Sequence, residues 1–123
     1  MPNIKPVAIV DDDKAVLSAL SSLLRSFGYA VLTFASAEAF LAQANLSGIC
    51  CLITDVQMPG GMNGLELQAA LAAQAISLPV ILMSGLIDET LRTRAYASGA
   101  VAFMQKPVDS DSLMACIDPL CGD

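Results

Sequence analysis

Five polar positions fall where short apolar runs stop. Val7–Val10 runs into Asp11-Asp12-Asp13, residues 49–54 end at Asp55, residues 79–83 end at Ser84, and residues 101–104 lead to Gln105-Lys106. Carboxylates can ligate a hard cation, while a hydroxyl and an ammonium can donate to an anion. Each residue alone has an ordinary explanation. An Asp after a strand is commonly a turn or helix cap, and Asp13 reads as the cap of the helix that follows. A lone Ser or Lys at a strand end is usually a solvated loop residue. Five such groups, at the ends of four different apolar runs, are harder to dismiss. In an open parallel sheet, ligands bind beyond the carboxyl ends of the strands, at the topological switch point. For strand order 2-1-3-4-5 that point lies between strands 1 and 3, where Asp11, Asp12 and Asp55 converge. Two carboxylates about 4 Å apart at an effective dielectric near 20 repel by roughly 4 kcal/mol. Three would strain a fold held together by only ~5–15 kcal/mol. The cluster therefore calls for a compensating cation. Lys106 supplies one, and Mg²⁺ suits a site with few carboxylates and room for water.

The elements that must position these groups follow from periodicity. Val7–Val10 is a β-branched apolar run and reads as a buried strand. Over residues 14–27, Val16, Leu17, Leu20, Leu23, Leu24 and Phe27 keep helical spacing, and Gly28 stands where a left-handed cap belongs. Residues 29–34 read as strand 2, and Ser36 can cap a helix carrying Phe40 and Leu41. Strand 3 covers residues 49–54. Asn63 and Glu66 have the spacing of a capping box ahead of a helix running to about Gln74. Strand 4 covers residues 79–83, and Asp88 can cap a helix ending at Gly99. Strand 5 covers residues 101–104. A last helix starts near Asp109 and is expected to stop at Pro119. Five strands alternating with five helices predict an α/β fold with a doubly wound five-stranded parallel sheet, and the order 2-1-3-4-5 is the one expected if that sheet is flavodoxin-like.

Composition narrows the chemistry. A chain of 123 residues is expected to form a single domain over residues 1–123. Twelve acids against six bases, a net charge of −6, argue against direct contact with nucleic acid. The absence of histidine removes Ser-His and Cys-His catalysis and His-ligated metals. Cys50, Cys51, Cys116 and Cys121 contain no C-x-x-C pair, so the expectation is buried structural thiols without a partner, in a reducing compartment. No stretch is long enough for a signal peptide or a transmembrane span, so no membrane association and a cytoplasmic location are expected.

The motifs Val10-Asp11-Asp12-Asp13, Thr54-Asp55-Val56-Gln57-Met58-Pro59, Met83-Ser84-Gly85, Ala95 through Ser98-Gly99-Ala100, and Phe103-Met104-Gln105-Lys106-Pro107 resemble the receiver domain of two-component response regulators. They match in order and spacing from Val7 to about Ile117. The similarity is strongest to receivers that precede DNA-binding output domains in nitrogen-fixation-type regulators. The resemblance implies a phosphoacceptor, not an enzyme, with Asp55 as the phosphorylated residue. It implies Mg²⁺ held by Asp12, Asp55 and the backbone carbonyl of Gln57, with Asp11 acting through water. Lys106, the Ser84 hydroxyl and the Gly85 N–H would receive the phosphoryl oxygens. Such an arrangement matches in-line phosphoryl transfer, which needs a carboxylate nucleophile, a bridging metal and donors for the equatorial charge. A cis Lys106-Pro107 peptide is also implied, as is a switch in which Ser84 moves and Phe103 turns from solvent toward the core. Arg92 and Arg94 would lie near the reshaped face of helix 4, strand 5 and helix 5. The implied partner is a sensor histidine kinase or phosphotransfer protein, with a phosphorylation-dependent homodimer as a further assembly.

Three features depart from the family pattern. The loop Gly60-Gly61-Met62-Asn63-Gly64 is one residue longer than usual, Phe103 stands where many receivers have tyrosine, and the last helix is expected to be short. A rival reading takes Asp11-Asp12-Asp13 as the opening motif of a haloacid-dehalogenase-type phosphatase, with Asp11 as nucleophile and Asp13 as general acid. That reading gives Asp55 no role, lacks an acidic fourth motif, and needs a cap region the chain has no room for. A receiver-like module that only binds is disfavoured because every expected chemical group is present. Flavin binding is weaker still, for want of a Ser/Thr/Gly-rich loop after strand 1.

Overall fold

The computed structural model describes residues 5–43, 45–86 and 88–122. Its strands are β1 (Val7–Val10), β2 (Val31–Phe34), β3 (Cys51–Asp55), β4 (Val80–Ser84) and β5 (Ala102–Gln105). Its α-helices are α1 (Lys14–Ser26), α2 (Ala37–Leu41), α3 (Gly64–Ala73), α4 (Glu89–Ala97) and α5 (Ser110–Cys121), with a 3₁₀ turn at Leu46–Gly48. The strands pair in parallel in the order β2-β1-β3-β4-β5, the order expected of a flavodoxin-like doubly wound sheet.

Strand period two splits the sheet between two cores. Val7, Ile9, Cys51, Ile53, Ile81 and Met83 face α1 and α5, where Leu20, Leu24, Leu113 and Ile117 meet them. Ala8, Val10, Leu52, Val80 and Leu82 face Phe40 of α2, Leu67 and Leu71 of α3 and Ala95 of α4. Every residue of β1, β3 and β4 is buried, which explains their continuous apolar runs.

Caps fix where the helices start. Asp13, Ser36, Asn63, Asp88 and Asp109 each accept a backbone N–H of the first turn, and Asn63 with Glu66 forms the full capping box. Gly28 and Gly99 take the left-handed conformation (φ 91° and 101°) just past α1 and α4.

Two sequence-based expectations fail at the C-terminal end. Helix α5 does not stop at Pro119 but continues to Cys121. Proline removes one intrahelical bond, yet Ile117, Leu120 and Cys121 pack against the α1/α5 core and hold the last turn in place. The second correction follows from the first. Continued by one turn, α5 carries Cys121 over the entry to β3, where it forms a disulfide with Cys50 across 71 residues, with a Cα–Cα separation of 5.5 Å. The reading of four unpartnered thiols therefore does not hold for Cys50 and Cys121. Cys51 and Cys116 are free, and burial above all, with Cys116 alongside, pushes the Cys51 thiol up to about 12.

Candidate functional site

Three carboxylates meet at the carboxyl edge of the sheet because β1 and β3 are neighbours in register. Val10 pairs with Thr54, so the residues after β1 and at the end of β3 emerge together. Carboxylate oxygens of Asp11, Asp12 and Asp55 lie within 4.8 Å of one another. Asp11 is fully buried, Asp55 is 5% exposed and Asp12 faces solvent. Lys106 follows β5, and the Lys106-Pro107 peptide is cis, as the resemblance implies. Its ammonium lies 2.7 Å from Asp11 Oδ2 and 3.0 Å from Asp55 Oδ2. The other oxygens are held by the backbone: the Asp13 N–H donates to Asp11 Oδ1 (2.9 Å) and the Gln57 N–H to Asp55 Oδ1 (3.3 Å).

Burial raises Asp55 above the ordinary carboxylate value, helped by the nearby Asp11 charge and opposed by Lys106 and the Gln57 N–H. Burial by itself would lower Lys106, but its bonds to Asp11 and Asp55 outweigh that, so the ammonium is held above its usual value. Three carboxylates thus face one ammonium in a pocket with an open side at Asp12. An all-oxygen donor set with net negative charge and solvent access fits a hard divalent cation that keeps some of its waters.

Ser84 ends β4 on the other face of the sheet edge, in line with Val80 and Leu82. It is fully buried. Its hydroxyl donates to Gln57 Oε1 (2.9 Å) and accepts the Leu86 N–H (3.0 Å). The resemblance singled out only the Gln57 backbone, and the role of its side chain had no signal in the sequence. Phe103 is half-buried against the α2/α3/α4 core, so it is not the fully solvent-facing ring the resemblance implies. The Tyr96 hydroxyl sits 3.2 Å from the Phe103 N–H, and Arg92 stacks on the Tyr96 ring at 5.6 Å. Arg92 lines a groove with Leu86, Phe103 and Gln105, whereas Arg94 lies beside Asn63, Leu65 and Glu66 of the α3 side, away from the face assigned to it.

Two further residues support the site. Gly64 donates its N–H to the Val56 carbonyl (3.1 Å), and a Cβ there would sit 2.5 Å from the Asp55 carbonyl oxygen. The longer loop before it is braced from α2, where Glu38 Oε2 accepts the Met62 N–H at 2.8 Å. That bond foremost lowers Glu38 below its ordinary value. One contact disfavours the phosphatase arrangement: Asp13, its general acid, is occupied as the cap of α1, accepting the Ala15 N–H.

No helix among the described residues is long and apolar enough to cross a membrane. Residues 7–118 match the family model described as the response regulator receiver domain. The chain is 44% identical over 111 residues to the response regulator protein TodT of Pseudomonas putida, covering 90% of this chain and 48% of that protein. It is 41% identical over 117 residues to the transcriptional regulatory protein FixJ of Azorhizobium caulinodans, covering 95% and 55% respectively. The chain thus spans about half the length of these relatives. Among solved structures, a response regulator receiver protein from Pseudoalteromonas atlantica superposes with a TM-score of 0.85 at 28% identity, over 93% of this chain and 94% of that one. On the family match and these relatives, the chain belongs to the response regulator receiver domains of two-component signalling.

Proposed function

We propose that this receiver accepts a phosphoryl group on Asp55 in a Mg²⁺-dependent reaction. The observation that carries the reading is the Asp55 carboxylate itself, buried at the end of β3 with Lys106 at 3.0 Å and the Asp11 and Asp12 oxygens close by. An oxygen of Asp55 attacks phosphorus, and the bond from phosphorus to the donor breaks, leaving an acyl phosphate and the free donor. The donor is the phosphohistidine of a sensor histidine kinase or phosphotransfer protein, whose imidazole nitrogen leaves. Asp12, Asp55 and the Gln57 carbonyl would hold Mg²⁺, with Asp11 reached through water. The ion supplies charge neutralisation of the transferring oxygens. Lys106, now paired with Asp11 and Asp55, can turn one donor to a phosphoryl oxygen, a charge-assisted bond.

The output reading rests on the same site. A phosphoryl oxygen draws in the Ser84 hydroxyl, the loop after it follows, and Phe103 moves deeper into the space between α4 and β5. The face of α4, β5 and α5 then changes, and a homodimer or another polypeptide reads that face. The reaction is placed in the cytoplasm, where a sensor histidine kinase or phosphotransfer protein presents its phosphohistidine.

The test is incubation with acetyl phosphate. Intact mass should rise by one phosphoryl group with Mg²⁺ present and not in its absence, and Asp55→Asn should stay unlabelled. Label mapped to Asp11 would overturn the acceptor reading in favour of the phosphatase.

A further inference from the structure

The Ser84 hydroxyl has one proton to give, and it is already committed. It points at Gln57 Oε1 at 2.9 Å, so a fully buried hydroxyl is paired with a half-buried side-chain amide. Gln57 simultaneously donates its backbone N–H to Asp55 Oδ1. One residue therefore touches the phosphoacceptor through its main chain and the switch hydroxyl through its side chain. The loop that carries it is anchored, because the preceding Val56 N–H bonds the Met83 carbonyl at 2.8 Å. On the far side, Ser84 Oγ accepts the Leu86 N–H, and Leu86 lines the groove that holds Phe103 and Arg92.

We propose that Gln57 is a positioning residue that latches Ser84 in the resting arrangement. This inference rests on the phosphoacceptor reading and says what opposes the switch. Ser84 can donate to a phosphoryl oxygen only by leaving Gln57, so the latch competes directly with the bound phosphoryl group. A ligand shifts such an equilibrium only by its differential bonding to the two states. The latch lowers that difference by about one hydrogen bond, equivalent to roughly two- to tenfold in affinity. Because Leu86 hangs on the same hydroxyl, releasing the latch also frees the segment that borders Phe103. Gln57 thereby sets how much phosphoryl bonding is spent before the α4–β5 face moves.

The experiment measures beryllofluoride affinity at saturating Mg²⁺ in wild type, Gln57→Met, Ser84→Ala and the double variant. Methionine keeps the side-chain length and removes the acceptor; Gln57→Leu serves the same comparison if Gln57→Met does not fold. Gln57→Met should bind roughly two- to tenfold tighter than wild type. The gain should vanish in the Ser84→Ala background, where there is no hydroxyl to hold. In the unliganded protein, the Leu86 amide resonance should shift in Gln57→Met toward its position in the beryllofluoride complex. Equal or weaker binding by Gln57→Met, or a gain that persists without the Ser84 hydroxyl, overturns the latch while leaving the acceptor reading intact. A wild type that binds no beryllofluoride removes the acceptor reading and the latch together.

Discussion

A buried carboxylate beside other carboxylates is a cost the fold carries for the sake of its site, and Asp55 makes that cost measurable. Its folded-state value lies above the ordinary 3.8, chiefly through burial. Between the ordinary and the raised value the native chain holds a proton that the unfolded chain has lost, so stability falls as pH rises through that window. Above it the penalty is constant. Asp55→Asn in chelator should therefore melt about 2–6 °C higher than wild type at pH 7. The gap should close below pH 4 and also on adding Mg²⁺, and calorimetry at three pH values checks all of this. An unchanged melting temperature at pH 7 would mean that Lys106 fully offsets the charge. Lys106 divides the same field differently. Its ammonium repels a cation and attracts phosphoryl oxygens. Lys106→Ala should bind Mg²⁺ as well as wild type or several-fold tighter while losing most phosphorylation by acetyl phosphate. A metal titration in which Lys106→Ala no longer binds Mg²⁺ would contradict that division.

Elements hold these residues through junctions, and the tightest is between β3 and α3. Gly64 opens α3 directly against the Asp55 carbonyl. A Cβ there meets two backbone groups, the Asp55 oxygen at 2.5 Å and Val56 Cα at 3.1 Å, neither of which can swing aside. Gly64→Ala should cost about 1–3 kcal/mol by overpacking, read from the denaturant midpoint, and should weaken Mg²⁺ binding as Asp55 shifts. The second junction is Cys50–Cys121, which ties the last turn of α5 to the entry of β3. Closing so long a loop is worth about 2–4 kcal/mol. Cys121→Ser should melt lower than wild type without reductant, and the two should coincide once reductant is present. What was legible in the sequence follows the same division. Strands and caps were readable because each depends on local period or on a side chain reaching its own helix, whereas strand order came with the doubly wound fold class and not from any local pattern. The converging Asp11, Asp12, Asp55, Ser84 and Lys106 were readable because each ends an apolar run. The disulfide and the passage of α5 through Pro119 were not, since packing against β3 overrides a local stop signal. Nor was the Gln57–Ser84 bond, which joins the loop after β3 to the end of β4, 27 positions apart.

For the molecule as a whole, the two cores separate the chemistry from its consequence. Asp11, Asp55 and Lys106 continue the strand faces that pack on α1 and α5, while Ser84 and Phe103 belong to the face covered by α2, α3 and α4. A phosphoryl group on Asp55 can reach the second face across the sheet edge, where Ser84 presents a fully buried hydroxyl. Beyond it lie Leu86 and Tyr96, 57% and 42% exposed, with Arg92 on the Tyr96 ring and the Tyr96 hydroxyl on the Phe103 backbone. That arrangement ties α4 to the edge strand β5 through the Tyr96 side chain, so a movement of Phe103 that carries its backbone disturbs Tyr96. A beryllofluoride complex should therefore show altered amide exchange at residues 84–86 and 102–105 and across α4, while β1 and α1 exchange as before. Sedimentation should register a change in association state if the reshaped face meets a second copy. Exchange differences confined to the loops around Asp55, with Tyr96 and Phe103 unaffected, would leave the phosphoryl group without a route to α4 and the output reading without support.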